Sequence, residues 1–143
     1  MIFFFILISC TSTQETISQS NQPEIMDMKG QFEQFGSDSA IFTLNAKRLK
    51  IVDGEYLPSS EEFVVKVYND KMSEVYNSSK DKNFFMVISE VEPKTINGIK
   101  TYNYAWNMKN NNNKGLEPGK YNAQLIIPAK PKNYICNIEF EIK

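Results

Sequence analysis

The chain has 143 residues, 41% of them hydrophobic and 13% aromatic, including ten Phe and seven Tyr, which suits one compact core and excludes wholesale disorder. Its 16 basic and 17 acidic residues give a formal charge of -1, without the basic face of a nucleic-acid binder. There is no His, which removes the usual general base, the commonest metal ligand and every His-dependent triad.

Residues 1–8 are an unbroken apolar run, too short for the roughly 20 residues of a membrane-spanning helix and matched to the apolar region of a secretory signal. The run leads into Leu7-Ile8-Ser9-Cys10, which resembles the lipobox of bacterial lipoproteins. That resemblance implies cleavage between Ser9 and Cys10 and acyl chains on the Cys10 thiol, each buried methylene contributing about 0.8 kcal/mol of anchoring. No Lys or Arg precedes the run, whereas a signal ordinarily starts with positive charge. The other reading makes residues 2–8 a buried first strand and Cys10 an ordinary thiol. Cys10 and Cys136 would pair only if the N-terminus docked on the last strand.

Residues 11–23 are polar, with Ile17 their only aliphatic side chain. They bury too little apolar area to offset ordering entropy and read as a flexible tether. The expected organisation is a signal segment over residues 1–9, a lipidated Cys and linker over 10–27, and a folded domain over 28–143.

From Met28 the pattern becomes short alternating runs. Residues 31–35 form a weak strand candidate and residues 41–44 a short apolar one. Residues 49–52 precede an Asp53-Gly54 turn that could join them to a following strand. In residues 63–68, Phe63, Val65 and Val67 alternate with Val64, Lys66 and Tyr68. Residues 84–88 are a short apolar strand candidate. Residues 101–108 give the clearest period of two, with Tyr102, Tyr104, Trp106 and Met108 on one face. Residues 120–127 and 133–143 repeat it, the latter placing Cys136 on its apolar face beside Ile138 and Phe140. Asn97-Gly98, the Asn110-to-Asn113 loop and Pro118-Gly119 supply turns. About seven short strands without a helical period predict an all-β antiparallel sandwich, with a small barrel as the alternative.

No Cys-x-x-Cys, phosphate loop or His-based metal site is present, and no cofactor or metal is expected. Glu61-Glu62 and the Glu90/Glu92 pair are the most obvious local carboxylate clusters; at strand ends they read as exposed charge rather than catalytic pairs. Asp70, Asp81 and the Asn-rich loop lack the spacing of a calcium loop. Cys136 reads as a buried small hydrophobe, and Trp106 as core.

The second half carries Glu62-Phe63-Val64-Val65, then Glu74-Val75-Tyr76, Phe84-Phe85, Thr101-Tyr102 through Trp106, and Gly115-Leu116-Glu117-Pro118-Gly119-Lys120-Tyr121. This string resembles the BsuPI-type intracellular proteinase inhibitor domain, from Ile41 to Lys143 and most strongly from Phe63 to Ile127. The resemblance implies an immunoglobulin-like β-sandwich in which Phe63, Val65, Trp106, Gly115, Pro118, Gly119 and Tyr121 act structurally, and a non-catalytic protein that inserts loops into a protease cleft. Residues 77–83 and 109–114 are the exposed loops to consider. With the anchor, this predicts a monomeric, extracytoplasmic envelope lipoprotein whose partners are the membrane and a protease or another envelope protein. A general protein- or glycan-binding lipoprotein without inhibitor activity is the competing reading.

Overall fold

The structure, a computed structural model, describes residues 17–143. The apolar run, Ser9 and Cys10 lie outside the described residues. Eight strands are present among the described residues: β1 Gln19–Ser20, β2 Met26–Phe35, β3 Ser39–Arg48, β4 Val64–Tyr68, β5 Glu74–Asn77, β6 Ile99–Trp106, β7 Gly119–Ile127 and β8 Tyr134–Ile142. They pair antiparallel in two sheets, ordered β1-β8-β7-β4-β5 and β2-β3-β6. Apart from the two-residue β1, four strands face three, as in an immunoglobulin-like sandwich.

The period of two places the core between the sheets. In β8, Tyr134, Cys136, Ile138, Phe140 and Ile142 are buried while Asn137, Glu139 and Glu141 are exposed. In β3 the same parity buries Ala40, Phe42, Leu44, Ala46 and Arg48. Phe140 sits where the sheets meet: its ring lies 4.3 Å from Phe32, 5.3 Å from Phe42 and 5.8 Å from Tyr121, centroid to centroid. Trp106 packs on Phe42 at 5.5 Å. These offset and edge-on contacts add to what apolar burial alone supplies. Gly30 lets β2 approach the facing sheet, because a Cβ there would stand 2.7 Å from Ile138 Cγ2 and 2.8 Å from Leu125 Cδ1.

Two short edge elements close the seams between the sheets. At one side β1 pairs with β8, and the Ser18 hydroxyl accepts from the Gly30 amide of β2 at 2.8 Å. At the other side β5 pairs with β4, and Tyr76 reaches across to β6, its hydroxyl 2.5 Å from that of Tyr104. The polar stretch read as a tether is therefore partly built into the fold. Asn21 Oδ1 accepts from the Ile135 amide at 2.9 Å, the Gln22 side chain donates to Asn133 O at 2.9 Å, and Met26 is fully buried. Its polar side chains satisfy main-chain groups that apolar residues could not.

Other boundaries also differ from expectation. Residues 31–35 and 41–44 are parts of ten-residue strands. Residues 49–52 form no strand, and the Asp53-Gly54 turn leads only to isolated bridges, Tyr56 with Lys130 and Leu57 with Ser89. β6 stops at Trp106; Met108 is buried but lies beyond the strand with φ at 57°. Residues 84–88 form no strand and are exposed throughout.

Candidate functional site

One end of the sandwich is organised by Arg48, the last residue of β3. Its parity turns it inward, where it is only 1% exposed. The guanidinium donates to Pro93 O at 2.8 Å and Tyr134 Oη at 3.2 Å, and pairs with the Glu55 carboxylate. Tyr134 donates to the other oxygen of Glu55. The buried cation is thus neutralised by a carboxylate and hydrogen-bonded to a carbonyl and a phenol, the condition under which burial is tolerated. Burial, then the hydrogen bond to Glu55, push the Tyr134 phenol up to about 12. The cluster ties together β3, β8, the turn at Glu55 and the segment at Pro93, so the loops of this end are held rigidly.

On this frame lies residues 56–61, running antiparallel to residues 85–89. The Leu57 amide donates to Ser89 O at 2.8 Å and Ser89 donates back at 3.1 Å. The Ser60 amide donates to Phe85 O at 2.8 Å, and the Phe85 amide donates to Ser60 Oγ at 2.9 Å. Three residue steps from Leu57 to Ser60 thus face four from Phe85 to Ser89. The extra residue makes a bulge, and Pro58, which has no N–H, prevents a continuous ladder. The Val87 amide closes back on Phe85 O at 3.0 Å. Main-chain groups of residues 85 and 89 are thus bonded to the scaffold, and the Val87 amide is bonded within the segment. The alternate residues Phe84, Met86 and Ile88 make no hydrogen bond to other described residues.

The side chains of this segment stand in solvent: Phe85 is 79% exposed, Met86 89% and Ile88 74%. Leu49, Ile51, Ile96 and Ile99, all exposed, belong to the same end, since Arg48 and Gly98 share a 3.0 Å main-chain bond and Lys47 pairs with Ile99. Most of the exposed large apolar side chains among the described residues are gathered here; Ile17, Phe35 and Met72 lie elsewhere. Exposed apolar side chains gathered at one end in this way ordinarily mark a binding site.

The two polar loops singled out from sequence are locked to each other. The Asn77 amide donates to Asn111 Oδ1 at 2.8 Å, and Asn111 Nδ2 donates to Asn77 O at 3.0 Å. Asn110 Oδ1 accepts from the amides of Asn112 and Lys114. Their polar groups serve the turn itself. The acidic clusters are likewise engaged: Glu61 accepts from Ser79 Oγ at 2.7 Å, and Lys94 bridges Glu90 at 2.8 Å and Glu92 at 3.5 Å. The Lys94 contact lowers the Glu90 pKa. Asp70 lines an open groove with Lys120, Tyr121 and Glu139, whereas Asn110, Asn111 and Asn113 line another with Tyr76 and Trp106. Asp70 and the Asn-rich loop are not brought together.

A family model described as "BsuPI: Intracellular proteinase inhibitor" matches residues 56–132, more than half of the chain. The chain belongs to the BsuPI family. No curated protein matches the chain. The BsuPI match spans β4 to β7 and includes the whole of residues 84–88. Within it, Val65 is fully buried, Phe63 packs on Tyr102 at 5.4 Å, and Trp106 is 3% exposed with Nε1 donating to Lys109 O at 3.1 Å. Gly115 bridges Lys109 across the Asn-rich loop. At Pro118-Gly119 the chain turns, with Gly119 at a φ of 150°, and the Tyr121 hydroxyl donates back to Glu117 O at 2.6 Å. The Pro-Gly-x-Tyr string of this BsuPI domain thus fixes a corner of the sandwich. Cys136, outside the match, is a free thiol with no exposure, and burial raises its pKa.

Three features of the site were not read from sequence. Arg48 continues the Ala40, Phe42, Leu44, Ala46 parity, so the signal was present two residues at a time. Gly30 interrupts the apolar face of β2 and hid it. The exposure of residues 84–88 runs against their composition.

Proposed function

We propose that this protein is a protease-binding module held at the bacterial cell envelope by a lipid on Cys10, facing out of the cytoplasm. The observation that carries the protease reading is the BsuPI match over residues 56–132. The apolar end of the sandwich supplies the surface such a role needs: it is exposed and framed by the Arg48 cluster, and its residues 84–88, Ile96 and Ile99 fall within the matched region. The domain would act by occupying a cleft, not by catalysis, as the inhibitor description of its family suggests. The anchor rests on the run that ends in Leu7-Ile8-Ser9-Cys10. Export would set this chain apart from the "intracellular" of the family's description.

Inhibition assays of the full chain against serine, cysteine, aspartic and metallo-endopeptidases test the protease reading. Saturable inhibition of at least one is expected. Failure at micromolar concentration across all classes would leave a general protein- or glycan-binding envelope module without inhibitor activity.

A further inference from the structure

We propose that residues 84–88 are the strand this domain lays into its protease, and that the protease takes it by main-chain pairing with large apolar side chains in adjacent pockets. The inference rests on the protease reading and names the surface and the partner's chemistry.

The argument starts from the main chain. An extended segment directs its peptide groups alternately to either edge. Here the two ends of one edge are occupied, residue 85 bonding to Ser60 and residue 89 to Leu57, while between them the Val87 amide turns back on Phe85 O within the segment. The other edge carries the peptide groups of Phe84, Met86 and Ile88, which make no hydrogen bond to other described residues. Such an edge is a template for one more strand. Protein partners that bind an extended chain supply that strand and read the side chains in pockets.

The side chains fit the same occupant. Phe85, Met86 and Ile88 are each more than 70% exposed, and no acidic or basic residue interrupts residues 84–88. Large apolar anchors of this kind dominate protein interfaces. Attachment at Ser60 and Leu57, over the Arg48–Glu55–Tyr134 frame, holds the segment in shape before binding, which lowers the ordering cost of association. The polar loops at residues 77–83 and 109–114 lack this combination because they carry no large apolar side chain, and Asn77, Asn110 and Asn111 are hydrogen-bonded within and between them.

A lipid surface is the other environment that would accept these side chains. It is disfavoured by the same main chain, because peptide groups entering hydrocarbon without partners cost several kcal/mol each. A protease strand provides those partners.

The test uses the full chain and its Met86→Asp, Val87→Asp, Lys82→Ala and Lys109→Ala variants. Lys82, Met86 and Val87 are exposed and Lys109 is half-buried, and circular dichroism checks that each variant folds. Inhibition constants are measured against an endopeptidase panel that includes chymotrypsin, with its apolar slot, and trypsin, with an acidic pocket. The expected result is inhibition biased to proteases with apolar pockets, weakened about 30-fold by either Asp variant and within about threefold of wild type in the Lys variants. Inhibition that survives both Asp variants would overturn the inference while leaving the protease reading intact. Absence of inhibition by the wild type in every class would overturn both. The inference also falls if the Asp variants keep inhibiting but lose binding to phosphatidylglycerol–phosphatidylethanolamine vesicles, or turn a dimer into a monomer in sedimentation.

Discussion

At the scale of single residues, the fold depends on side chains that break the apolar pattern. Gly30 is one. Gly30→Val would drive a branched side chain into Ile138 and Leu125, whose atoms already lie under 3.0 Å from a Cβ at that position. A loss of about 1–3 kcal/mol is expected in urea denaturation. Arg48 is another. Arg48→Ala would strand the Glu55 carboxylate at 13% exposure and cost about 3–5 kcal/mol. Adding Glu55→Ala should recover part of that loss, giving a coupling in the double-mutant cycle. Tyr134 makes the same frame sensitive to alkali. Its phenol ionises near 10 in the unfolded chain and at about 12 in the fold. The unfolded state therefore releases its proton first. The stabilisation is complete below pH 10 and is lost as pH rises through 12. Denaturation midpoints across that window should fall with pH, and less steeply in Tyr134→Phe. Arg48 was legible in the sequence once the β3 parity was followed to its end. Gly30 was not, because a missing side chain carries no polarity to read.

At the scale of elements, the strands with clean alternation were read closely and those without it were not. β7 and β8 match their expected spans to within one residue at each end, since every second side chain is apolar and buried. Residues 84–88 were misread as a strand because composition reports apolarity and not burial. Their pairing with residues 57–60 is spoiled by Pro58 and by a one-residue bulge, neither of which is visible until the two segments are side by side. β1 was misread as tether for the opposite reason. Its main-chain pairing with β8 is flanked by side-chain bonds from Ser18, Asn21 and Gln22, polar residues that look like linker. Asn21→Ala removes the acceptor for the Ile135 amide and the donor to Asn133 O. It should cost about 1 kcal/mol and speed hydrogen exchange at Ile135. A pure tether would show neither change.

At the scale of the whole molecule, the sandwich is larger than its family match. Residues 56–132 contain β4 to β7, but β2, β3 and β8 supply Phe32, Phe42 and Phe140 to the same core. The sequence resemblance was strongest where the Trp and Pro-Gly-x-Tyr strings lie, because those residues answer to a corner geometry that few other side chains satisfy. It was silent on the exposed apolar end, which is set by what remains outside the core after folding. The placement of the protein adds a separate expectation. Metabolic labelling with a fatty-acid analogue should mark the wild type and not Cys10→Ala; an unlabelled wild type would remove the anchor and leave the sandwich unchanged. The central claim is that this BsuPI sandwich binds a protease. Its most direct test is titration of the full chain into an endopeptidase panel. The account predicts saturable, one-to-one inhibition of at least one protease, and no inhibition in any class at micromolar concentration would contradict it.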